Sequence, residues 1–532
     1  MTDGIHLIPK KHRLFYGLLA LWIGFQLVQW DGAWDRLDGD DAQYILHAQS
    51  LVMHHKYNPP NLIYLPETIT TPQSVPPVWP LLLVPLIALF GVRMVVFKAA
   101  VVLLACLAGF LVRRLASAFT QNEKWGDLVA GLYAFSMTTI VFSRMVYSEW
   151  PYLVSSYAAL TLASTSARSS RPLLRWCCIG LLAGTALLCR SLGVVLVGAL
   201  LAALVYVAVS TKQVKQGLLR ILLFLAALLF IYQATYALVK PGEKPTYAGE
   251  FFSKNIAFPE DGQATTADIA GRIPKNGLSF IRSLAPMLVG RVWHEGAVFL
   301  FPRSAAAVDV LLTVSGAFLF LFMAAGFVRQ VWKGPTAIEF TVSGYLLVLS
   351  IVWFYNEPYR YLMPIGPFLI LYLVGGISFF SDRFGRFSER KGRLISIVLF
   401  FLLAVNIAQA AVEIYQYRFS GRNARVRFQP VLSAVAWLKQ NALPDEVVLA
   451  DDPRWYALTT GRNVTAFLKS RDGDKGMRFI EQFPRSVIVF DEQRRLSALC
   501  LEPILRKYRD RFRPLGEFGP IHLYRYPATE GE

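Results

Sequence analysis

Apolar runs approaching the roughly 20 residues that cross a bilayer recur along this chain from Leu14 to Tyr417. A soluble core cannot absorb so many runs of that length. The 532 residues are 55% hydrophobic, and a mean hydropathy of +0.42 is outside the range of soluble domains this long. The chain is therefore expected to be an α-helical polytopic membrane protein. No small-residue cleavage site follows the first run, so 14–30 reads as a retained helix rather than a signal peptide.

The net charge of +18 suggests nucleic acid, but its distribution argues against that partner. Much of the basic charge sits in short loops between apolar runs: Lys10, Lys11 and Arg13; Arg113, Arg114 and Lys124; Arg168, Arg171 and Arg175; Lys212, Lys215 and Arg220; Arg329 and Lys333; and Arg383 to Arg393. The positive-inside rule makes these loops cytoplasmic. The spans expected between them are 14–30, 93–112, 126–146, 150–166, 176–189, 191–209, 219–238, 306–328, 336–354, 361–380 and 394–416, about eleven in all. The N-terminus then lies in the cytoplasm and the C-terminus outside. The run 78–90 is too short to span and carries Pro80 and Pro85, so it is expected as a re-entrant or interfacial helix. The stretch 176–209 breaks at Arg190-Ser191. Two helices meeting outside are expected there; one long buried run would invert everything after it.

This leaves a membrane domain over 1–416, with outer loops 31–77 and 239–305, and a soluble domain over 417–532. The tail reads as a small α/β domain of about 110 residues, enough for its own core. Val431–Leu443 has helical spacing, 447–450 and 486–490 read as strands, Arg494–Arg509 has helical spacing, and 512–526 reads as a hairpin turning at Gly519-Pro520. Only Cys500 lies in the tail, so no disulfide forms within it, and no Cys/His pattern suggests a structural metal.

Polar residues gather at the outer ends of these spans. Asp40 and Asp41 follow the first span, and adjacent carboxylates serve to take a proton, hold a metal or face a cation. Glu149 lies at the turn before the fourth span, Arg190 at another outer turn, and Asn356-Glu357-Pro358-Tyr359-Arg360-Tyr361 before the tenth. Ionisable residues at membrane depth are costly and mark sites. Each also has a plain structural reading. The acidic pair could belong to a polar loop, Glu149 could cap a helix, Arg190 could snorkel, Arg360 could pair with Glu357, and Tyr44, Tyr359 and Tyr361 could be interfacial aromatics. His294-Glu295 reads as loop.

The same segments carry a family resemblance. Asp40-Asp41-Ala42-Gln43-Tyr44, Val75-Pro76-Pro77-Val78-Trp79-Pro80-Leu81-Leu82 with Leu89-Phe90-Gly91, Ser148-Glu149-Trp150-Pro151, Gly180 to Arg190, Tyr359-Arg360-Tyr361-Leu362-Met363-Pro364, and the tail's Trp437-Leu438-Lys439, Val448 to Asp451 and Thr460-Gly461-Arg462 occur in the order found in GT-C glycosyltransferases. The branch they resemble is that of protein O-mannosyltransferases and lipid A aminoarabinose transferases. The departure is Asp41, where that family commonly has Glu. Residues 240–305 match nothing in the pattern.

The resemblance implies a GT-C-like membrane domain and a glycosyltransferase taking sugar from a polyprenyl-phosphate donor outside the cytoplasm. It implies an acceptor glycan, lipid or protein, while the absence of recognisable disulfides and the compact loops point to a bacterial inner membrane. Asp40, Asp41 and Glu149 would be catalytic, Arg190 and Arg360 would bind the donor phosphate, and Tyr44, Tyr359, Tyr361 and Glu357 would contact substrate. A divalent cation, Mg2+ or Mn2+, is the one cofactor left open, with Asp41 and Glu149 as its ligands. A lipid-linked glycan polymerase or ligase uses the same carriers. A transporter or flippase would instead need polar residues along a path through the midplane.

Overall fold

The computed structural model describes residues 13–30, 32, 39–65, 67–68, 75–165, 171–240, 248–290, 297–298, 300–301, 304–352, 358–383, 391–419 and 424–527. The expected loop residues Glu357, His294 and Glu295 lie outside the described residues. Contacts divide the chain into two compact units: Met1–Trp30, Lys98–Thr235 and Gly271–Arg418 form one, and Asp31–Phe97, Tyr236–Ala270 and Phe419–Glu532 form the other.

Six helices among the described residues are long and apolar enough to cross a membrane: Met94–Thr120, Pro172–Cys189, Gly193–Ser210, Val214–Val239, Ala305–Lys333 and Lys391–Phe419. Three shorter apolar helices accompany them, Arg13–Val28, Val78–Phe90 and Ala337–Ile351. Only 17–44% of each long helix's most apolar window is buried, and Leu103, Phe230, Leu321 and Phe401 are exposed on their outer faces. Such faces are stable against lipid tails and not against water. This is a multi-pass membrane protein.

In lipid, helices associate through close packing rather than apolar burial, and small residues allow it. The helices Ala305–Lys333 and Gly366–Arg383 meet through glycines: a Cβ on Gly326 would strike the Tyr372 carbonyl, and one on Gly376 the Phe322 carbonyl. Several buried polar groups pair across helices. Arg113 Nε donates to Asp127 Oδ1 at 2.6 Å, Tyr372 Oη donates to Glu339 Oε1 at 3.0 Å, and Asn276 Nδ2 donates to the Val352 carbonyl at 2.7 Å beyond a helix end.

Two expected spans differ in outline. The run 126–146 is not one helix. Glu123–Phe135 ends at Ser136, whose hydroxyl accepts the Thr139 amide and starts a separate turn, Met137–Phe142. The run 361–380 is likewise split into Pro358–Leu362 and Gly366–Arg383, since Pro364 lacks the amide a continuous helix needs. The 176–209 stretch does divide, at Arg190, into Pro172–Cys189 and Gly193–Ser210.

The second unit is built on a five-stranded sheet of order β2-β1-β3-β5-β4, with β1 Val447–Ala450, β2 Asn463–Ala466, β3 Ser486–Asp491, β4 Arg513–Phe518 and β5 Ile521–Tyr526. β1 pairs in parallel with β2 and β3, while β5 pairs antiparallel with β3 and β4. The hairpin turns at Gly519, whose φ is +60°. The helix Ala424–Asn441 packs on this sheet, and Pro453–Thr460 joins β1 to β2. The expected helix Arg494–Arg509 is two short ones, Arg495–Cys500 and Glu502–Lys507, with Pro503 starting the second.

The segment after the first span also folds here. Asp40–His54 is a helix, not a loop. Its Ala42 and Leu46 are buried in one core with Trp455, Val448, Val464 and Leu438. Leu62 then bridges Val464 in parallel register, with Ile63 N donating to Val464 O at 2.8 Å and Val464 N to Asn61 O at 2.9 Å. This segment thereby extends the sheet at its β2 edge.

A second segment latches to the same unit. Arg471 N donates to Glu260 Oε1 at 2.9 Å and Ser470 Oγ to Glu260 Oε2 at 2.5 Å. Arg471 Nη1 donates to Asp261 Oδ1 at 2.9 Å, and its guanidinium lies 4.1 Å from the Phe258 ring centroid. The Arg471 amide and then the Ser470 hydroxyl hold the Glu260 carboxyl below its usual range. The Arg471 side chain, with Asn255, does the same for Asp261. Depressed carboxylates contribute stability above their unfolded pKa and lose it as pH falls through the folded pKa. Hydrogen-exchange protection of 255–262 should therefore be full at neutral pH and drop on acidification below the usual carboxylate range, more steeply than in Arg471→Gln. Equal acid sensitivity in both would contradict the latch.

Candidate active site

The expected site residues divide between the two units. In the first unit, Glu149 opens the helix Glu149–Ser164, where a negative charge suits the positive helix end. Its carboxylate is buried, with 2% of the side chain exposed. Arg190 stands at the break between Pro172–Cys189 and Gly193–Ser210, in extended conformation with φ −150°. Its Nη1 lies 2.6 Å from Glu149 Oε1 and 3.3 Å from Ser148 Oγ. Arg360, on the short helix Pro358–Leu362, directs Nε to the same Glu149 oxygen, and its guanidinium sits 4.1 Å from the Tyr147 ring centroid. The turn after it is anchored by Tyr157 Oη, which donates to Pro364 O at 3.0 Å.

Glu149, Arg190 and Arg360 thus form one cluster, drawn from three segments far apart in sequence. One carboxylate faces two guanidinium groups, leaving a net charge of +1. The acid is enclosed, while the arginines keep 16% and 11% of their side chains exposed. Guanidinium is always charged, and its planar fork matches phosphate oxygens two at a time. Two guanidinium groups on one carboxylate give a cluster whose chemistry suits an anion. Tyr361 is half-buried beside Arg360 in sequence, and Tyr359 is exposed.

In the second unit, Asp40 and Asp41 occupy the first turn of their helix. Asp41 is buried, as is Tyr44. Asp40 keeps 34% of its side chain exposed. Arg454, which the sequence reading passed over, reaches this turn from the C-terminal domain: Nη1 donates to Gln43 Oε1 at 3.0 Å and lies 3.9 Å from Asp40 Oδ1. The only signal for it in the sequence is the run Asp451-Asp452-Pro453-Arg454 directly after a strand.

The expected cation ligands are Asp41 and Glu149. Glu149 gives Oε1 to two arginines, and Asp41 is buried in the first turn of its helix. Among the described residues, no group of three or more His, Cys, Asp or Glu could hold a metal ion.

Fold and site together define a polytopic membrane protein of GT-C-like architecture with a small α/β domain. No family model and no curated protein matches the chain. Solved structures do. The Archaeoglobus fulgidus oligosaccharyltransferase in complex with Zn and sulfate is similar at a TM-score of 0.57 and 14% identity, over 96% of this chain and 72% of that one. Archaeal oligosaccharyltransferase AglB from Archaeoglobus fulgidus, in complex with an inhibitory peptide and a dolichol-phosphate, is similar at 0.55 and 11% identity, over 98% and 75%. ArnT from Cupriavidus metallidurans bound to undecaprenyl phosphate gives 0.48 and 13%, over 97% and 99%.

If Glu149 holds the two arginines together, its removal leaves them buried, close and repelling. Breaking one partner out of a buried ion pair costs about 3–5 kcal/mol. Glu149→Gln should lower stability in detergent by roughly that amount, read by chemical denaturation. An unchanged midpoint would mean the cluster contributes nothing to folding.

Proposed function

We propose that this protein is a membrane glycosyltransferase that moves a sugar from a polyprenyl-phosphate donor to an acceptor on the outer face of the membrane. The observation that carries the reading is the Glu149–Arg190–Arg360 cluster, two guanidinium groups on one carboxylate built into the helical domain, each arginine keeping a small part of its side chain exposed. Its charge suits the phosphate of a lipid carrier. The fold likeness to an oligosaccharyltransferase seen with a dolichol-phosphate supports the same reading.

In the reaction, an acceptor oxygen attacks the anomeric carbon of the donor sugar. The new carbon–oxygen bond forms as the bond to the lipid phosphate breaks. The acceptor proton passes to a carboxylate, and the departing phosphate gains negative charge. Asp40 is the base we assign, because it is the more accessible of the acidic pair. Asp41, buried one position along the same helical turn, orients it. Arg190 and Arg360 stabilise the leaving phosphate. Glu149 serves this step by holding both guanidinium groups in place. Tyr44, Tyr359, Tyr361 and Glu357 are assigned to substrate contact, with Tyr359 the most exposed of those described. The membrane we assign is the bacterial inner membrane, with the N-terminus cytoplasmic and domain 417–532 outside. Acceptor choice is assigned to 239–305 and the C-terminal domain. A divalent cation, if one takes part, would come with the substrate phosphates rather than from a protein cage.

Two variants separate the roles. Asp40→Asn should lower transfer by at least about 100-fold while leaving binding of undecaprenyl phosphate and the melting temperature unchanged. Near-normal release of undecaprenyl phosphate by that variant would remove Asp40 from the chemistry. Arg360→Ala should weaken undecaprenyl phosphate binding by about 10- to 100-fold, the loss of a charge-assisted contact. Unaltered affinity would place the phosphate elsewhere. Lipid and glycan profiling of a deletion strain names the sugar and the acceptor.

A further inference from the structure

We propose that Arg454, in the C-terminal domain, is a positioning residue for Asp40, so that the α/β domain completes the catalytic machinery. The proposal rests on the catalytic reading of Asp40 given above.

The geometry begins at the sheet. In the order β2-β1-β3, the connection after β1 leaves to one side and the next crosses to the other, so the switch point lies between β1 and β3. Open α/β sheets take ligands at the carboxyl ends of their strands, at such a switch point. β1 ends there and runs into Asp451-Asp452-Pro453-Arg454, where the helix Pro453–Thr460 starts. Arg454 therefore rises from the functional edge of the sheet.

Its guanidinium is held on both sides. Nε donates to Asp452 Oδ1 at 3.2 Å, and Asp452 is itself buried. Nη1 donates to Gln43 Oε1 at 3.0 Å. Between these anchors it passes over Gly39, so closely that a Cβ there would collide with the guanidinium. Gly39 also has a φ of +65°, which side chains disfavour. Both constraints select glycine at the residue preceding Asp40.

Asp40 Oδ1 lies 3.9 Å from Nη1, within ion-pair range. A fixed cation at that distance orients the carboxylate. Both side chains remain partly open to solvent, 22% for Arg454 and 34% for Asp40. The helix carrying Asp40 cannot drift from Arg454, because its Ala42 and Leu46 are buried against Trp455, the residue after Arg454.

The test uses the full-length protein in nanodiscs. Release of undecaprenyl phosphate from a total extract of undecaprenyl-phosphate-linked sugars gives kcat and KM. Arg454→Gln should lower kcat by about 10- to 100-fold, the effect of a misplaced catalytic group, with KM for the donor within about twofold. Arg454→Lys should recover part of the loss. Arg454→Gln added to Asp40→Asn should slow the enzyme no further, because coupled residues are not additive. Gln43→Met, which removes the acceptor that steers Arg454, should lower kcat in the same direction and stands in if Arg454→Gln fails to fold. Arg485→Gln, at an exposed pair with Asp445, should leave kcat unchanged. Full kcat in Arg454→Gln or Gln43→Met beside an inactive Asp40→Asn overturns the inference and leaves the function standing. Additive losses in the double variant, or no rescue by lysine, also overturn it. An active Asp40→Asn overturns the catalytic reading itself.

Discussion

A carboxylate enclosed at Glu149 must be neutralised, and meeting that demand organises the helical domain around it. Leaving such a charge unpaired costs several kcal/mol, more than one helix contact returns. Arg190 and Arg360 answer it from a helix break and from a five-residue helix. The break at Arg190 is therefore a structural necessity: a continuous helix through 190 would not present the side chain in extended conformation. The split at Pro364 works the same way, freeing Pro358–Leu362 to tilt Arg360 onto Tyr147. Interruptions that weaken helices as membrane spans are what assemble the cluster.

The second unit follows a different logic. Its organising contact is apolar: Ala42 and Leu46 of the helix Asp40–His54 complete the core of the C-terminal sheet. Leu62 and Ile63 add to the β2 edge, and Glu260 and Asp261 seize Arg471. Segments separated by hundreds of residues thus fold as one body. The acidic pair inherits its order from a domain that begins near residue 419. A covered edge strand also resists pairing with other chains.

Much of this was legible in the sequence, and the exceptions share a cause. Long apolar runs announced helices because lipid leaves the backbone no alternative. The Arg190 break and the Gly519 turn were visible as local chemistry. The helix at Asp40–His54 was not, because a short helix of mixed polarity is decided by the core it joins. β2 was missed for the same reason: Asn463–Ala466 becomes a strand by pairing with Val447–Ala450 and with Leu62. The stop at Ser136 rests on its hydroxyl, which accepts the Thr139 amide and donates to the Tyr133 carbonyl. Among site residues, Asp40, Asp41, Glu149, Arg190 and Arg360 stood out because charge beside apolar runs is expensive. Arg454 sits in a soluble domain, where charge is ordinary, and only its contact with Gln43 and Gly39 distinguishes it.

The two charged sites treat their acids in opposite ways, and the contrast bears on which one handles a proton. Glu149 is almost wholly buried, with two guanidinium groups on a single oxygen. Protonating it would strip both arginines of their counter-charge, so every turnover would work against the domain's own stability. Asp40 keeps a third of its side chain in solvent, and its cation stands off at 3.9 Å. Protonating it leaves Arg454 anchored by Gln43 and Asp452. A base must accept and release its proton in each cycle, and the more solvent-open carboxylate suits that better than the enclosed one. On the proposed reading Glu149 would hold the arginines that meet a departing phosphate, and Asp40 would receive the acceptor's proton.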